Sequence, residues 1–170
     1  MRDDVLSQAL QRILSELVDG PPPDFCFVLN PKDPGLLRSI ARLSAAEASR
    51  LSPEGGASIA AHVDHVRYGF EVLNRWVGGE EDAFEKADYS QSWQRTTVSD
   101  AEWPQLQARL AEEIRRWNEV LPHVDAAQQL HVTGSIAIIT HLAYHLGAIR
   151  QINRSIRGPS ATDTSSGVSP

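Results

Sequence analysis

The sequence predicts an all-α protein built as a four-helix bundle, with one extra short helix near the N-terminus. Apolar residues recur at helical spacing in several long segments, and no segment shows the sustained alternation typical of a strand. The chain has 170 residues, of which 41% are apolar, which suits one domain with a hydrophobic core. We therefore expect a single domain over residues 1–157 and a flexible tail over residues 158–170, where Ser, Thr, Gly and Pro are frequent.

The first third of the chain predicts one long helix and one short helix. Residues 2–19 carry apolar side chains at helical spacing, and the Gly-Pro-Pro-Pro run at residues 20–23 ends this helix. A loop follows, and a shorter helix is predicted from about Leu36 to Leu51. This shorter helix is the extra element of the predicted bundle.

Capping residues delimit the next helices. Ser58 is a predicted N-cap for a helix that ends near Val77, before a pair of glycines. The stretch from Gly78 to Val98 has no clear periodicity and is predicted to be a long connection. Another helix is predicted from Ser99 or the aspartate after it to about residue 121, with a proline in its first turn.

Net charge and the N-terminal residues exclude several classes of protein. The formal net charge is −6, and a surface that binds nucleic acid is normally basic, so no nucleic-acid partner is expected. The sequence shows neither the apolar segment of a signal peptide nor an uninterrupted apolar run of about 18 residues. The interpretation is a cytoplasmic protein without a membrane partner.

The last predicted helix, from Thr133 or Ser135 to about Arg157, directs two histidines towards the core. His145 falls near the middle of its apolar stripe and His141 about 40° to one side, because each helical residue turns about 100°. Two imidazoles one turn apart on an inward face can bind one metal ion. A single inward histidine is usually a core residue with one hydrogen bond, but two of them need more partners.

The helix predicted over residues 58–77 carries two more histidines. His62 lies beside its apolar stripe, and His65 lies slightly further round, with Gly69 leaving open space one turn later. Periodicity slightly favours His62 as the more buried of the two. It leaves open which of them meets the two histidines of the last helix.

Other catalytic motifs are not present. The His-x-x-x-His pair lacks the glutamate of the zinc proteases, and no Glu-x-x-His of a carboxylate-rich di-iron bundle occurs. His123 and His131 lie near predicted helix ends and are interpreted as surface or capping residues. Tyr144 is predicted to point to the polar side of its helix, and Asp64 to face away from the core stripe. No second catalytic group is therefore predicted.

The segment from Ser58 to His65 resembles the start of the second bundle helix in the DinB/YfiT-like superfamily. There, a Ser or Thr followed by an apolar residue precedes a metal-binding histidine by two turns. The segment from His141 to Ile149 resembles the closing pattern of the same superfamily, which has two histidines four residues apart and then a glycine. The resemblance extends from about residue 36 to residue 157.

The resemblance implies a metal site formed by His65, His141 and His145. It also implies a four-helix bundle with a long connection between its second and third helices, and a homodimer. His62 departs from the pattern and is left open as a fourth ligand, a hydrogen-bonding neighbour or a core residue. Trp93, as well as the tryptophans at positions 103 and 117, could anchor a dimer or pack the connection onto the bundle.

Three neutral imidazoles would leave a divalent ion an open coordination position, as in catalytic sites. Zinc or nickel is the expected ion, with iron and manganese as alternatives. Because members of that superfamily resemble thiol-dependent transferases, thiol-using isomerases and some hydrolases, the resemblance implies a metal-dependent transferase or hydrolase. Its partner would be a small-molecule substrate or a low-molecular-weight thiol. The alternative is a non-catalytic metal-binding or structural, dimerising bundle.

Overall fold

The protein is all-helical, as the periodicity predicts. The computed structural model describes residues 2–52 and 55–160, and this part of the chain contains seven α-helices, two short 3-10 turns and no strand. The helices are α1 (Arg2–Asp19), α2 (Gly35–Ile40), α3 (Ala45–Ala48), α4 (Ile59–Val77), α5 (Tyr89–Ser92), α6 (Glu102–Val120) and α7 (Gln129–Ile152). Most of the predicted tail, residues 161–170, lies outside the described residues.

A capping side chain defines the start of α4 where the sequence places it, whereas α6 begins a few residues after its predicted cap. The Ser58 hydroxyl accepts a hydrogen bond from the Ala61 backbone N–H at the start of α4. The hydroxyl of Ser99 accepts from the backbone N–H of Glu102, whose carboxylate in turn accepts from the backbone N–H of Ser99. This reciprocal pair has the pattern of a capping box, but it lies in the turn before α6, whose own N-cap, Ala101, has no capping side chain.

The single helix predicted from Leu36 to Leu51 is wrong, because the chain forms two short helices there. The first, α2, ends at Ile40, and α3 begins only at Ala45. Ser44 and Glu47 form a capping box, which starts a new helix instead of continuing the old one. Apolar spacing carries across the break and therefore conceals it.

The bounds predicted for the last helix also differ from those of α7. The helix begins at Gln129 rather than Thr133 or Ser135, and no side chain caps it. It ends at Ile152, and a 3-10 turn over Arg154–Ile156 follows. The two histidines therefore lie in the second half of a 24-residue helix.

Four long helices surround the core. Helix α4 packs against both α6 and α7, and α1 packs against α2 and α7. Trp103 and Trp117, considered above as dimer anchors, are buried in this core. The largest fully buried side chains include Leu14, Leu17, Ile59, Phe70, Leu106, Leu110, Trp117, Leu142 and Leu146.

A buried ion pair fixes α7 against the loop after α1. The Arg150 guanidinium donates to both carboxylate oxygens of Asp33, at 2.6 and 2.9 Å. Asp33 is only 4% exposed, and it also accepts a hydrogen bond from the Gly35 backbone N–H. Two parallel hydrogen bonds between the charged groups offset the free energy that both lose when they are removed from water. Arg150 lies five residues after His145, so the ion pair fixes the end of α7 that carries this histidine.

By length and apolar composition, α7 is the one described helix that could cross a membrane. The core helix of a folded domain meets the same criterion. Seven residues of α7 are buried within the fold, and His145 is one of them.

Candidate metal centre

Helices α4 and α7 bring three histidines together. His65 projects from α4, and His141 and His145 project from consecutive turns of α7. Each can offer one ring nitrogen such that these atoms all lie within 4.8 Å of one another. The ring centroids of His65 lie 5.0 Å from those of both His141 and His145, and the latter two lie 4.4 Å apart. Three nearby imidazoles of this kind could bind a metal ion.

His62 is adjacent to this cluster and contacts one of its members. Its Nδ1 lies 2.8 Å from Nδ1 of His145, so one of the two nitrogens donates to the other. It does not belong to the group of three converging ligand atoms. The structure therefore places His62 as a hydrogen-bonding neighbour of His145.

The sequence-based ranking of burial on α4 is wrong. His65 is 7% exposed, whereas His62 is only partly buried. The reason is that the connection after α4 covers His65, and the helical periodicity of α4 carries no information about this contact. The ring of Trp93, in the connection after α4, stacks on His65 at 4.2 Å. Tyr89 also contacts His65, edge to face at 6.1 Å.

Ser92 determines which nitrogen of His65 carries the proton. Its hydroxyl lies 2.7 Å from Nδ1 of His65 and donates its own hydrogen to the Tyr89 carbonyl, also at 2.7 Å. With its one hydrogen on the Tyr89 carbonyl, the hydroxyl accepts from His65. The tautomer assigned from these contacts carries the proton on Nδ1 and leaves Nε2 a free lone pair.

Polar contacts hold this connection over the site. The carboxylate of Asp64 accepts from Arg67 at 2.7 Å and from Arg95 at 2.9 Å. The Tyr68 hydroxyl accepts from the Asp88 backbone N–H at 2.9 Å. Although Asp64 is predicted to face away from the core stripe, it is only 7% exposed, and it pairs there with the two arginines. Because Asp64 is paired with two arginines, it is not free to act as a base.

All four clustered histidines are neutral near pH 7. Burial lowers the pKa of His65 to about 4, with smaller contributions from His141 and His62. Burial and the three neighbouring imidazoles lower the pKa of His145 to about 3. Burial also lowers the pKa values of His62 and His141. Neutral imidazole is the form that binds metal.

These pKa shifts predict that acid destabilises the metal-free protein. The unfolded chain takes up a proton at His65 and His145 below about pH 6.5, whereas the folded chain does so only near pH 4 and pH 3. Stability is thus greatest above pH 6.5 and falls as the pH decreases, by up to about 1.4 kcal/mol per pH unit for each histidine. Urea unfolding of the metal-free protein between pH 7.5 and pH 5 measures this slope.

A variant and a control isolate the contribution of one ring. His145→Gln removes one titrating group and is expected to flatten the slope by about 1.4 kcal/mol per pH unit. His123→Gln, at an exposed position outside the cluster, should leave the slope as it is. Equal slopes in wild type and His145→Gln would contradict the account.

One cleft reaches the three clustered histidines, and a second cleft reaches their neighbour His62. The apolar cleft has a volume of about 310 Å³, and its walls include His65, His141, Leu73, Phe84, Tyr89 and Ile138. The polar cleft, of about 510 Å³, is lined by His62, Tyr144, Gln151 and Arg154 among others. As predicted, Tyr144 points outward, with 71% of its surface exposed.

The two glycines of the sequence patterns differ in their surroundings. Gly69 lies in the wall of the apolar cleft, where an added Cβ would be 3.4 Å from the Ile138 side chain and 3.9 Å from His141. Gly147, two residues after His145, is exposed, and an added Cβ would have no neighbour within 4 Å. Only Gly69 contributes to the shape of the site.

Ser92 and Trp93 are the site residues that sequence reasoning did not predict. Trp93 is predicted to anchor a dimer or to pack the connection onto the bundle, and its stacking on His65 agrees with the second alternative. Ser92 carries no recognisable pattern. No protein-family model, curated protein or solved structure matches the chain. The chemistry of the site therefore rests on its own geometry.

Proposed function

We propose that His65, His141 and His145 hold one divalent metal ion, and that the protein is a metal-dependent transferase or hydrolase acting on a small molecule. The observation that supports this most strongly is the convergence of three neutral ring nitrogens within 4.8 Å. We further propose that α1, α4, α6 and α7 form a four-helix bundle of the DinB/YfiT-like kind. Zinc or nickel is the proposed ion, since imidazole suits both.

Hydrogen bonds around the cluster prepare the ring nitrogens for this role. Ser92 holds the proton of His65 on Nδ1, which leaves Nε2 as the ligand atom. The contact between His62 and His145 holds the proton of His145 on Nδ1 if that nitrogen is the donor. Nε2 of His145 is then also free. Such outer contacts fix the tautomer and orientation of histidine ligands.

The donor set favours an open site. Among the described residues, the converging group contains three histidines and no fourth ligand. A bound divalent ion with an open position lowers the pKa of a water or thiol that binds there. The chain's own residues hold and orient the ligand rings, while Trp93 covers one face of His65 and excludes water from it. A low-molecular-weight thiol is one proposed co-substrate.

One observation favours a second candidate, a metal-binding protein without catalysis. The carboxylate of Asp64, which precedes His65 in the sequence, is paired with Arg67 and Arg95. A hydrolase usually needs a group that can transfer a proton. In this alternative the bound ion would stabilise the contact between α4 and α7.

An activity screen separates the two candidates. Zinc-loaded protein, metal-free protein and the His141→Ala variant are assayed with uncharged aryl esters and with an electrophile plus a small thiol. The proposed function predicts turnover only in the zinc-loaded wild type. Metal binding with no turnover on either substrate class would favour the structural alternative.

The outer hydrogen bonds give a further prediction. Ser92→Ala and His62→Ala are each expected to weaken zinc binding about 10- to 100-fold, because the ligand rings lose their orientation. Ser90→Ala is the matched control, since the Ser90 hydroxyl bonds only Asp88, away from the cluster. Zinc titration against a chelating dye measures the affinities. Unchanged affinity in both variants would show that these contacts do not orient the ligands.

A further inference from the structure

The apolar cleft reaches the metal centre directly. His65 and His141 form part of its wall, so a molecule in this cleft would contact two of the three proposed ligands. Its volume of about 310 Å³ is at the lower end of the range for small-molecule sites, which begins at about 300 Å³. The cleft is therefore suited to a compact ligand of one or two rings.

Small residues keep this cleft open. Gly69 on α4 and Gly134 and Ala137 on α7 lie in its walls, where larger side chains would occupy the space. A Cβ at position 134 would already contact Leu73 and Trp76 at 3.7 and 3.8 Å. Glycine inside a helix costs up to about 1 kcal/mol relative to alanine. One glycine on each of the two helices therefore maintains the opening, at a cost in helix stability.

The lining determines what kind of ligand can bind. None of the described residues that line the cleft is an aspartate, glutamate, lysine or arginine. Phe84 and Tyr89 flank it and are 43% and 39% exposed. Their rings present apolar faces, which a flat aromatic ligand could cover. A charged ligand body would lose water there without gaining an ion pair.

We propose that the substrate has an uncharged aromatic body that binds in the apolar cleft between Phe84, Tyr89 and Ala137, with its reacting end at His65 and His141. This inference rests on the proposed function for the identity of the reacting end. The site for the aromatic body is independent of the metal. The polar cleft, whose lining includes Arg154, is not the site for this part of the molecule.

Two fluorescent probes with the same ring skeleton test the charge preference. N-phenyl-1-naphthylamine is uncharged, and 8-anilinonaphthalene-1-sulfonate adds one negative charge. The proposal predicts that the full-length, metal-free protein binds one equivalent of the uncharged probe, at least about tenfold more tightly than the sulfonate. Equal or tighter binding of the sulfonate, or no saturable binding of the uncharged probe, would overturn it.

Matched substitutions on α7 locate the probe. Ala137→Phe fills the mouth of the apolar cleft and is expected to weaken binding about tenfold or more. Ala148→Phe makes the same change in the polar cleft and should change the affinity less than about twofold. Because Ala137 is exposed, the substitution should not prevent folding, and Gly134→Leu is a second way to fill the cleft. Weaker binding in Ala148→Phe alone would place the probe in the wrong cleft.

A paramagnetic ion tests the link to the metal centre. One equivalent of Cu²⁺ is expected to quench the bound probe in the wild type but not in His145→Ala, which keeps the cleft and loses a ligand. Localised probe binding without Cu²⁺ binding would support the cleft and refute the proposed function. If the protein binds one equivalent of Cu²⁺ but Ala137→Phe does not weaken probe binding, the metal site of the proposed function is supported and the cleft is refuted as the binding site.

Discussion

His145→Ala is expected to lower the affinity for zinc about 1000-fold, which corresponds to about 4 kcal/mol. His145 is 2% exposed, and its ring contacts those of His62, His65 and His141. Structural zinc sites contribute about 10–16 kcal/mol in total, so one of three ligands carries several kcal/mol. Competition with a chelating dye at pH 7.5 measures the affinity.

The control for this variant is another histidine of the same helix. His131 lies near the start of α7, where its ring meets Trp76 at 5.0 Å, away from the cluster. His131→Ala should bind zinc as the wild type does. Circular dichroism of the metal-free variants checks the fold, and His141→Ala provides a less buried ligand position. Zinc affinities of His145→Ala and His141→Ala within threefold of the wild type would refute the assigned ligands.

Asp33→Ala is expected to lower the free energy of unfolding by about 3–5 kcal/mol. The substitution leaves the Arg150 guanidinium largely buried without its bidentate partner, and an unpaired buried charge is costly. The Gly35 backbone N–H also loses its acceptor. Urea unfolding at pH 7.5 measures the change.

A second substitution distinguishes pairing from packing. Asp33→Ala combined with Arg150→Met removes both charges, so the double variant should be more stable than Asp33→Ala alone. Glu112→Ala, in an exposed ion pair on α6, should lower the free energy of unfolding far less than Asp33→Ala does. If Asp33→Ala and Glu112→Ala have equally small effects, the pair does not anchor α7.

The sequence was most informative where side chains act locally. Ser58 marks the start of α4 because its hydroxyl caps that helix directly. The start of α7 could not be found in this way, since no side chain caps Gln129. The break between α2 and α3 was missed because apolar spacing continues across it, although Ser44 and Glu47 form a recognisable capping pair.

The candidate site was predictable only in part. The spacing of His141 and His145 identified an inward pair, and the superfamily pattern selected His65 from α4. Periodicity predicts that His62 is more buried than His65, because it accounts only for burial by the core. Trp93 and Ser92 bury His65 from the outer side, and their segment carries no helical pattern that predicts such a contact. Cellular location and a homodimer remain predictions from the sequence.

The metal content of the wild-type protein tests the central claim most directly. Untagged protein, purified without chelators, would be analysed by elemental mass spectrometry before and after incubation with zinc, nickel, manganese or iron and removal of free ion. The account predicts about one equivalent of a divalent ion per chain, as expected for three converging imidazoles. Protein that retains no metal after any of these incubations would contradict it and would leave a helical protein in which His62, His65, His141 and His145 are packed together without a metal ion.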